Sequence, residues 1–99
     1  MTLPIFLVHL DEYQHEAERT GTAWDDKPID EHRMLLALGL AGEAGEVLEL
    51  LKKEIGHGKT PAPMRIAEEL GDVLWYLSEL ARVHGFSLGA VAKIGRAHV

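Results

Sequence analysis

Two pairs of acidic side chains are the residues whose types and spacing best suit chemistry. Glu43 and Glu46 lie in the stretch GLAGEAGEVLE, and Glu69 and Asp72 lie in IAEELGDVLWY. Both stretches carry apolar residues at helical spacing, so each pair of acids spans one turn of a predicted helix. Glu43 projects into the apolar face of the first of these helices, and Glu69 projects into the apolar face of the second. A carboxylate among apolar side chains loses hydration and needs a compensating partner.

Two kinds of partner could compensate these acids. For a lone buried acid, the preferred explanation is a salt bridge to Arg or Lys, or a raised pKa that keeps the carboxyl neutral. Four converging acids would outnumber the nearby cations, because Lys and Arg mostly fall at predicted helix ends and outer faces. Oxygen ligands without Cys or well-placed His favour a hard divalent cation, Mg²⁺ or alternatively Mn²⁺.

The composition limits the class of protein. The 99 residues, 46% hydrophobic and 26% charged, are typical of a single globular domain, 1–99, that would bury more surface by pairing with a copy of itself. A formal net charge of -6 disfavours binding to nucleic acid or anionic lipid. The absence of cysteine excludes disulfides and thiolate metal sites. No stretch approaches the ~20 apolar residues of a membrane span, and the predicted location is the cytoplasm.

The elements that must position the acids are helices. Apolar residues recur at helical spacing almost throughout, and no segment alternates with period two. Predicted helices cover about residues 3–19, 31–55 and 63–84, and a last helix begins near residue 88. Asp30 and Ser87 are predicted N-caps of the second and last helices. We expect an all-α fold, an antiparallel bundle of about four helices that assembles as a dimer or tetramer.

Glycines interrupt both acid-bearing helices. Gly39, Gly42 and Gly45 fall inside the second predicted helix, and Gly71 falls inside the third. Each costs about 1 kcal/mol relative to Ala in a helix interior. Close approach of a backbone or a ligand would offset this cost, and tight packing between helices would do so equally well.

The motif ExxE followed, after a connector, by ExxD resembles that of the MazG-like nucleotide pyrophosphohydrolases of the all-α nucleoside triphosphate pyrophosphatase group. It reads Glu43-Ala-Gly-Glu46 and Glu69-Leu-Gly-Asp72, and the similarity runs from about residue 11 to residue 91. The resemblance implies that the four acids hold Mg²⁺ and that a nucleoside triphosphate is hydrolysed to a nucleoside monophosphate and pyrophosphate. One of the two catalytic candidates, Glu43 and Glu46, would then orient or deprotonate the water.

The same resemblance implies a homodimer or homotetramer that removes unwanted or excess nucleotides, with deoxynucleotides as the expected substrates. Relatives usually continue the last helix with an Asn and then a Lys or Arg, whereas the ending AVAKIGRAHV contains no Asn. Lys93 and Arg96 are the candidates to substitute for those residues.

Four further side chains are candidates for binding the nucleotide. Lys53 lies roughly 10 Å along the helix from Glu46 and could reach a phosphate, although a solvated lysine at the helix end fits equally well and Lys52 competes for the role. Tyr76 lies on the acid-bearing face and could contact a base or sugar. Trp24, in a polar connector, could stack on a base or fill the core. Gln14 could face the base if the first helix lines the pocket.

Two alternatives to a pyrophosphohydrolase stay open from the sequence alone. One is a non-catalytic helical dimer whose acids serve a partner's basic surface or an interhelical salt-bridge network. The other is a di-iron carboxylate protein, since Glu12 to His15 and Glu54 to His57 both have the ExxH spacing of di-iron bundles. His57 lies between glycines, however, and a di-iron site would leave the acids at 43 and 69 unexplained.

Overall fold

The computed structural model describes residues 9–97, which form four α-helices. These are α1 (Leu10–Glu18), α2 (Ile29–His57), α3 (Pro63–Val83) and α4 (Leu88–Ala97), and a short 3-10 helix, Thr22–Trp24, lies between α1 and α2. No strand occurs within this described range. The all-α fold with four helices is therefore confirmed. The N-terminal part of the first predicted helix, residues 3–8, lies outside the described residues.

The long helices α2 and α3 pack along each other and carry the two acidic motifs. A short connection, residues 58–62, joins them, so α3 returns along α2 as the second half of a helical hairpin. Gly58 ends α2 in the left-handed region with φ 66°, a conformation that a side chain disfavours. Pro63 begins α3, where its missing N–H costs no helical hydrogen bond.

Asp30 is not the N-cap of α2, which corrects the sequence prediction. Pro28 occupies the cap position with no side-chain hydrogen bond, and α2 begins at Ile29. Asp30 instead lies in the first turn, where its carboxylate is 3.2 Å from the guanidinium of Arg33. The helix begins earlier than predicted because the chain after Pro28 enters the helical conformation directly.

The shorter helices α1 and α4 pack on α3 and on each other. Ser87 caps α4 as predicted, since its hydroxyl accepts a hydrogen bond from the Ala90 N–H at 3.1 Å. A carboxylate oxygen of Asp11 in α1 accepts a second hydrogen bond, from the Gly89 N–H at 2.7 Å. The hydrogen bond between Asp11 and Gly89 thus joins the first and last described helices.

Among residues 9–97, few apolar side chains are fully buried and many large ones are exposed. Buried apolar side chains are Ala17, Leu36, Ala81 and Leu88. Large apolar side chains lie exposed along α2, with Met34, Leu38, Leu48 and Ile55 among them. Within the described part of the chain, none of the helices is both long and apolar enough to cross a membrane.

Candidate metal centre and adjoining cleft

Three of the four predicted metal ligands converge where α2 packs against α3. Glu43, Glu69 and Asp72 each place a carboxylate oxygen within 4.8 Å of the others. Glu69 is buried, with 5% of its surface exposed, whereas Glu43 is half-buried and Asp72 is exposed. Glu46, the fourth predicted ligand, is exposed and does not join this group. The cluster therefore has a buried end and a solvent-facing end.

The acids in this cluster repel one another. Partial burial raises the pKa of Glu43 most, followed by the negative charge of Asp72, a hydrogen bond and charge from Glu69, and the charge of Glu46. The three acids around Glu43 therefore all act in the same sense, because each disfavours a negative charge on its carboxyl group. A cation placed among these oxygens would remove that conflict.

Only one member of the cluster has a cation of its own among residues 9–97. The guanidinium of Arg65 lies 3.3 Å from a carboxylate oxygen of Glu69, one turn along α3. This salt bridge is the ordinary compensation for a buried acid, and it leaves Glu43 and Asp72 without an ion pair in the described structure. Carboxylate oxygens with spare lone pairs fit a hard divalent cation, so the donor set suits Mg²⁺ or Mn²⁺.

A cleft of about 410 Å³ adjoins the acid cluster and is here called the acid cleft. Its lining consists of Thr20, Glu43, Asp72, Trp75 and Tyr76. The indole N–H of Trp75 donates a hydrogen bond to the Thr20 hydroxyl at 3.0 Å, and the Trp75 and Tyr76 rings meet edge to face with centroids 5.0 Å apart. The cleft thus has carboxylates on one side and aromatic rings on another.

Close approach to α2 explains one of its glycines. A Cβ on Gly39 would overlap the ring of Tyr76, so the absence of a side chain lets this ring lie against the backbone of α2. A Cβ on Gly42, Gly45 or Gly71 would meet nothing within 4 Å in the single chain. Packing of Tyr76 accounts for Gly39, and contacts within the described chain do not account for the other three.

Two predicted nucleotide-binding residues, Gln14 and Trp24, are not among the residues that line the acid cleft. The Gln14 amide donates hydrogen bonds to the backbone carbonyls of Phe86 at 3.0 Å and Ser78 at 3.3 Å, and its oxygen accepts one from the Leu88 N–H at 3.1 Å. Trp24 meets His32 edge to face, with centroids 6.2 Å apart. Gln14 thus joins three helices, and the role of either residue in substrate binding stays a prediction.

The candidate cations for phosphate binding also lie outside the cleft lining. Lys53 is exposed on α2, where its ammonium group is 3.9 Å from a Glu49 carboxylate oxygen. Lys93 and Arg96 line a separate depression between α1 and α4. No cationic side chain lines the acid cleft in the part of the chain that the structure describes.

Sequence reasoning missed two residues of the cleft. Trp75 lies about 100° from Tyr76 around α3, away from the acid-bearing face, so its position on the helix predicts a core or interface residue and not a cleft residue. Thr20 carried no signal, because its contact with Trp75 joins residues 55 positions apart. The alternative di-iron ligands do not assemble: within residues 9–97, no histidine belongs to a group of three potential metal ligands.

Comparison with protein families matches residues 31–96 to the MazG nucleotide pyrophosphohydrolase domain. The matched region contains α3, most of α2 and nearly all of α4, and therefore both acidic motifs. No curated protein and no solved structure gives a significant match to the chain.

Proposed function

The chain belongs to the MazG nucleotide pyrophosphohydrolase family, and on that premise we propose that it is a Mg²⁺-dependent nucleoside triphosphate pyrophosphohydrolase. The observation that carries this proposal is the convergence of Glu43, Glu69 and Asp72 beside a cleft, with one salt bridge among the three acids in the described structure. In a purely structural cluster, each acid would be expected to pair with a nearby Arg or Lys side chain.

Glu43, Glu69 and Asp72 would hold the metal, with Glu46 completing the predicted set of four. Mg²⁺ usually binds through a few carboxylates and keeps positions for water and substrate phosphates. When bound, it would supply charge neutralisation for the triphosphate and acidify water. Mn²⁺ has similar ligand preferences and is expected to substitute.

Glu46 and Glu43 are the residues that we propose for handling the water. Glu46 is exposed, one turn of α2 from Glu43, and lies outside the compact group, so it is the acid of the motif that the group of three leaves available as a general base. In the proposed reaction, water oxygen bonds to the α-phosphorus as the bond from that phosphorus to the α,β-bridging oxygen breaks. Pyrophosphate leaves, the nucleoside monophosphate stays, and the proton of the water passes to the glutamate.

The aromatic side of the acid cleft would receive the nucleoside. Tyr76 is the predicted contact for base or sugar, and Trp75 provides a second ring beside it. We propose deoxynucleoside triphosphates as substrates and control of nucleotide pools in the cytoplasm as the role. Lys53 would contribute to phosphate binding only if the substrate extends along α2.

The proposed assembly is a homodimer or homotetramer. Exposed apolar side chains on α2, such as Met34, Leu38 and Leu48, are the kind of surface that a second copy covers. Light scattering coupled to size-exclusion chromatography tests this, and a monomer at micromolar concentration would contradict it.

Measurement of pyrophosphate release tests the proposed activity. The protein is incubated with a panel of ribo- and deoxynucleoside triphosphates, in Mg²⁺ and in EDTA, and we expect release only with metal. Glu46→Gln and Asp72→Asn should each abolish turnover without changing the helical circular dichroism signal. Glu49→Gln is the matched control, because Glu49 lies on the same helix beside Lys52 and Lys53 and outside the cluster. Absence of release from every nucleotide by the folded protein would refute the proposal.

A further inference from the structure

A second buried acid on α3 has a cation of its own. Glu79 is fully buried, with 0% of its surface exposed. The guanidinium of Arg82, one turn along α3, donates hydrogen bonds to both of its carboxylate oxygens, each at 2.9 Å. Two parallel hydrogen bonds of this kind fix both the position and the plane of the guanidinium. The pair is therefore a rigid feature of the helix.

Arg82 also binds the segment that follows α1. Its Nη2 donates hydrogen bonds to the Gly21 carbonyl oxygen at 3.2 Å and to an Asp25 carboxylate oxygen at 3.1 Å. Its Nη1 lies 3.7 Å from a Glu18 carboxylate oxygen. One guanidinium thus joins α3 to residues 18–25, which are here called the connector.

The connector lies directly on the buried carboxylate. Gly21 is buried, and a Cβ on it would overlap the Glu79 carboxylate. The backbone can approach this closely only because residue 21 has no side chain. The distance between the connector and α3 is consequently set by Glu79 and Arg82, since neither can move without leaving a buried charge uncompensated.

The connector supplies one wall of the acid cleft. Thr20, which precedes Gly21, lines the cleft together with Glu43 and Asp72. The Thr20 hydroxyl donates to the Ala17 carbonyl at 3.0 Å and accepts the Trp75 indole N–H at 3.0 Å. A shift of the connector would therefore move Thr20 and release Trp75, and it would leave the acids on α2 and α3 in place.

We propose that Arg82 and Glu79 are positioning residues that hold the Thr20 wall of the acid cleft against α3 and thereby set the affinity for the nucleotide. The inference rests on the proposed function, because it assigns the effect to the nucleotide that this function requires. Neither residue touches the cleft, so both act through the connector. Metal binding, which depends on the acid cluster, should not depend on them.

Two mild substitutions test the inference without emptying the buried site. Asp25→Asn removes the charge at an exposed partner, and Arg82→Lys keeps a cation but loses the bidentate geometry. We expect Arg82→Lys to raise KM for the nucleotide about tenfold, since charge-assisted hydrogen bonds are lost. Asp25→Asn should raise KM less, and kcat should change by less than about threefold in either variant.

Arg19→Met is the matched control. Arg19 belongs to the connector and also pairs with a glutamate three residues earlier, Glu16 at 2.7 Å, but its side chain is exposed and makes no hydrogen bond or salt bridge to α3 among the described residues. Removal of this surface pair should leave KM unchanged. The Mg²⁺ affinity, measured calorimetrically without nucleotide, should be the same in all three variants and in the parent protein.

Hydrogen exchange separates this inference from the proposed function. Amides of residues 18–25 should exchange faster in Arg82→Lys than in Arg19→Met, with or without nucleotide. Faster exchange with an unchanged KM would overturn the inference, and so would unchanged exchange. If the parent protein hydrolyses no nucleotide, the proposed function fails and the effect on affinity fails with it. Hydrogen exchange alone then tests whether Arg82 and Glu79 hold the connector against α3.

Discussion

Neutralising Glu43 should stabilise the metal-free protein, which is the reverse of the usual effect of altering a half-buried residue. Carboxylate oxygens of Glu43, Glu69 and Asp72 lie within 4.8 Å of one another. At 4.8 Å two unit charges repel by about 0.9 kcal/mol in a water-like medium and by about 3.5 kcal/mol at an effective dielectric constant of 20. Glu43→Gln removes this repulsion and keeps the shape of the side chain.

The lower of these values applies, because Glu43 is partly exposed and solvent screens its charge. Arg65 also offsets part of the charge of Glu69, its partner at 3.3 Å. We therefore expect a gain of about 1 kcal/mol in the free energy of unfolding, which raises Tm by about 4–8 °C in a domain of this size. Thermal unfolding in EDTA, followed by circular dichroism, measures the change.

Addition of Mg²⁺ should reverse the order of the Tm values, so that the parent protein becomes more stable than Glu43→Gln. A ligand that binds only the folded state stabilises it by about 2.7 kcal/mol at one hundred times its Kd. The parent protein should gain this stability, and Glu43→Gln, with one metal ligand fewer, should gain less. Glu49→Gln, the control on the same helix, should not raise Tm in EDTA, because Glu49 is near two lysines. A lower Tm for Glu43→Gln in EDTA would mean that the acids are compensated structurally, and the metal-site reasoning would be refuted.

Two further substitutions test contacts around the cleft. Gly39→Ala should lower the free energy of unfolding by about 1–3 kcal/mol and raise KM, because the added methyl group displaces Tyr76. Gly42→Ala, where the added methyl group meets nothing, should stabilise the protein by about 1 kcal/mol. Equal chemical-denaturation midpoints for the two variants would contradict the packing of Tyr76 against Gly39. Gln14→Leu should lower the free energy of unfolding by about 1–3 kcal/mol, because backbone groups of Phe86 and Leu88 lose their hydrogen-bond partner. An unchanged Tm with a raised KM would instead indicate that Gln14 contacts the nucleotide.

Local signals in the sequence were sufficient for the helices and for most of the acid cluster. Apolar periodicity and the Gly and Pro breaks place α2 and α3 within two residues of their observed bounds. The i,i+3 spacing of Glu69 and Asp72, with the position of Glu43 in an apolar face, predicts their convergence once two helices pack. Glu46 lies at the edge of its apolar face, and it is the acid that stays outside the group.

Contacts between distant parts of the chain could not be predicted in the same way. The Thr20 contact with Trp75 and the Gly21 contact with Arg82 depend on where the connector crosses α3, which no local pattern specifies. The Arg65 salt bridge to Glu69 is different, because its i,i+4 spacing is visible in the sequence. Arg65 lies in the first turn of α3, so a cation at a helix end still reaches the buried acid.

The two buried acids of α3 show how a structural carboxylate differs from a candidate ligand. Glu79 has both oxygens bound by Arg82, and its neighbourhood is closed by the connector. Glu69, ten residues earlier, has one arginine on one side and two further carboxyl groups on the other. Neutralisation should therefore act in opposite directions: Glu79→Gln should lower Tm in EDTA by leaving Arg82 half-paired, whereas Glu43→Gln should raise it. A change of Tm in the same direction in both variants would contradict this distinction between the Glu79–Arg82 pair and the acid cluster of Glu43, Glu69 and Asp72.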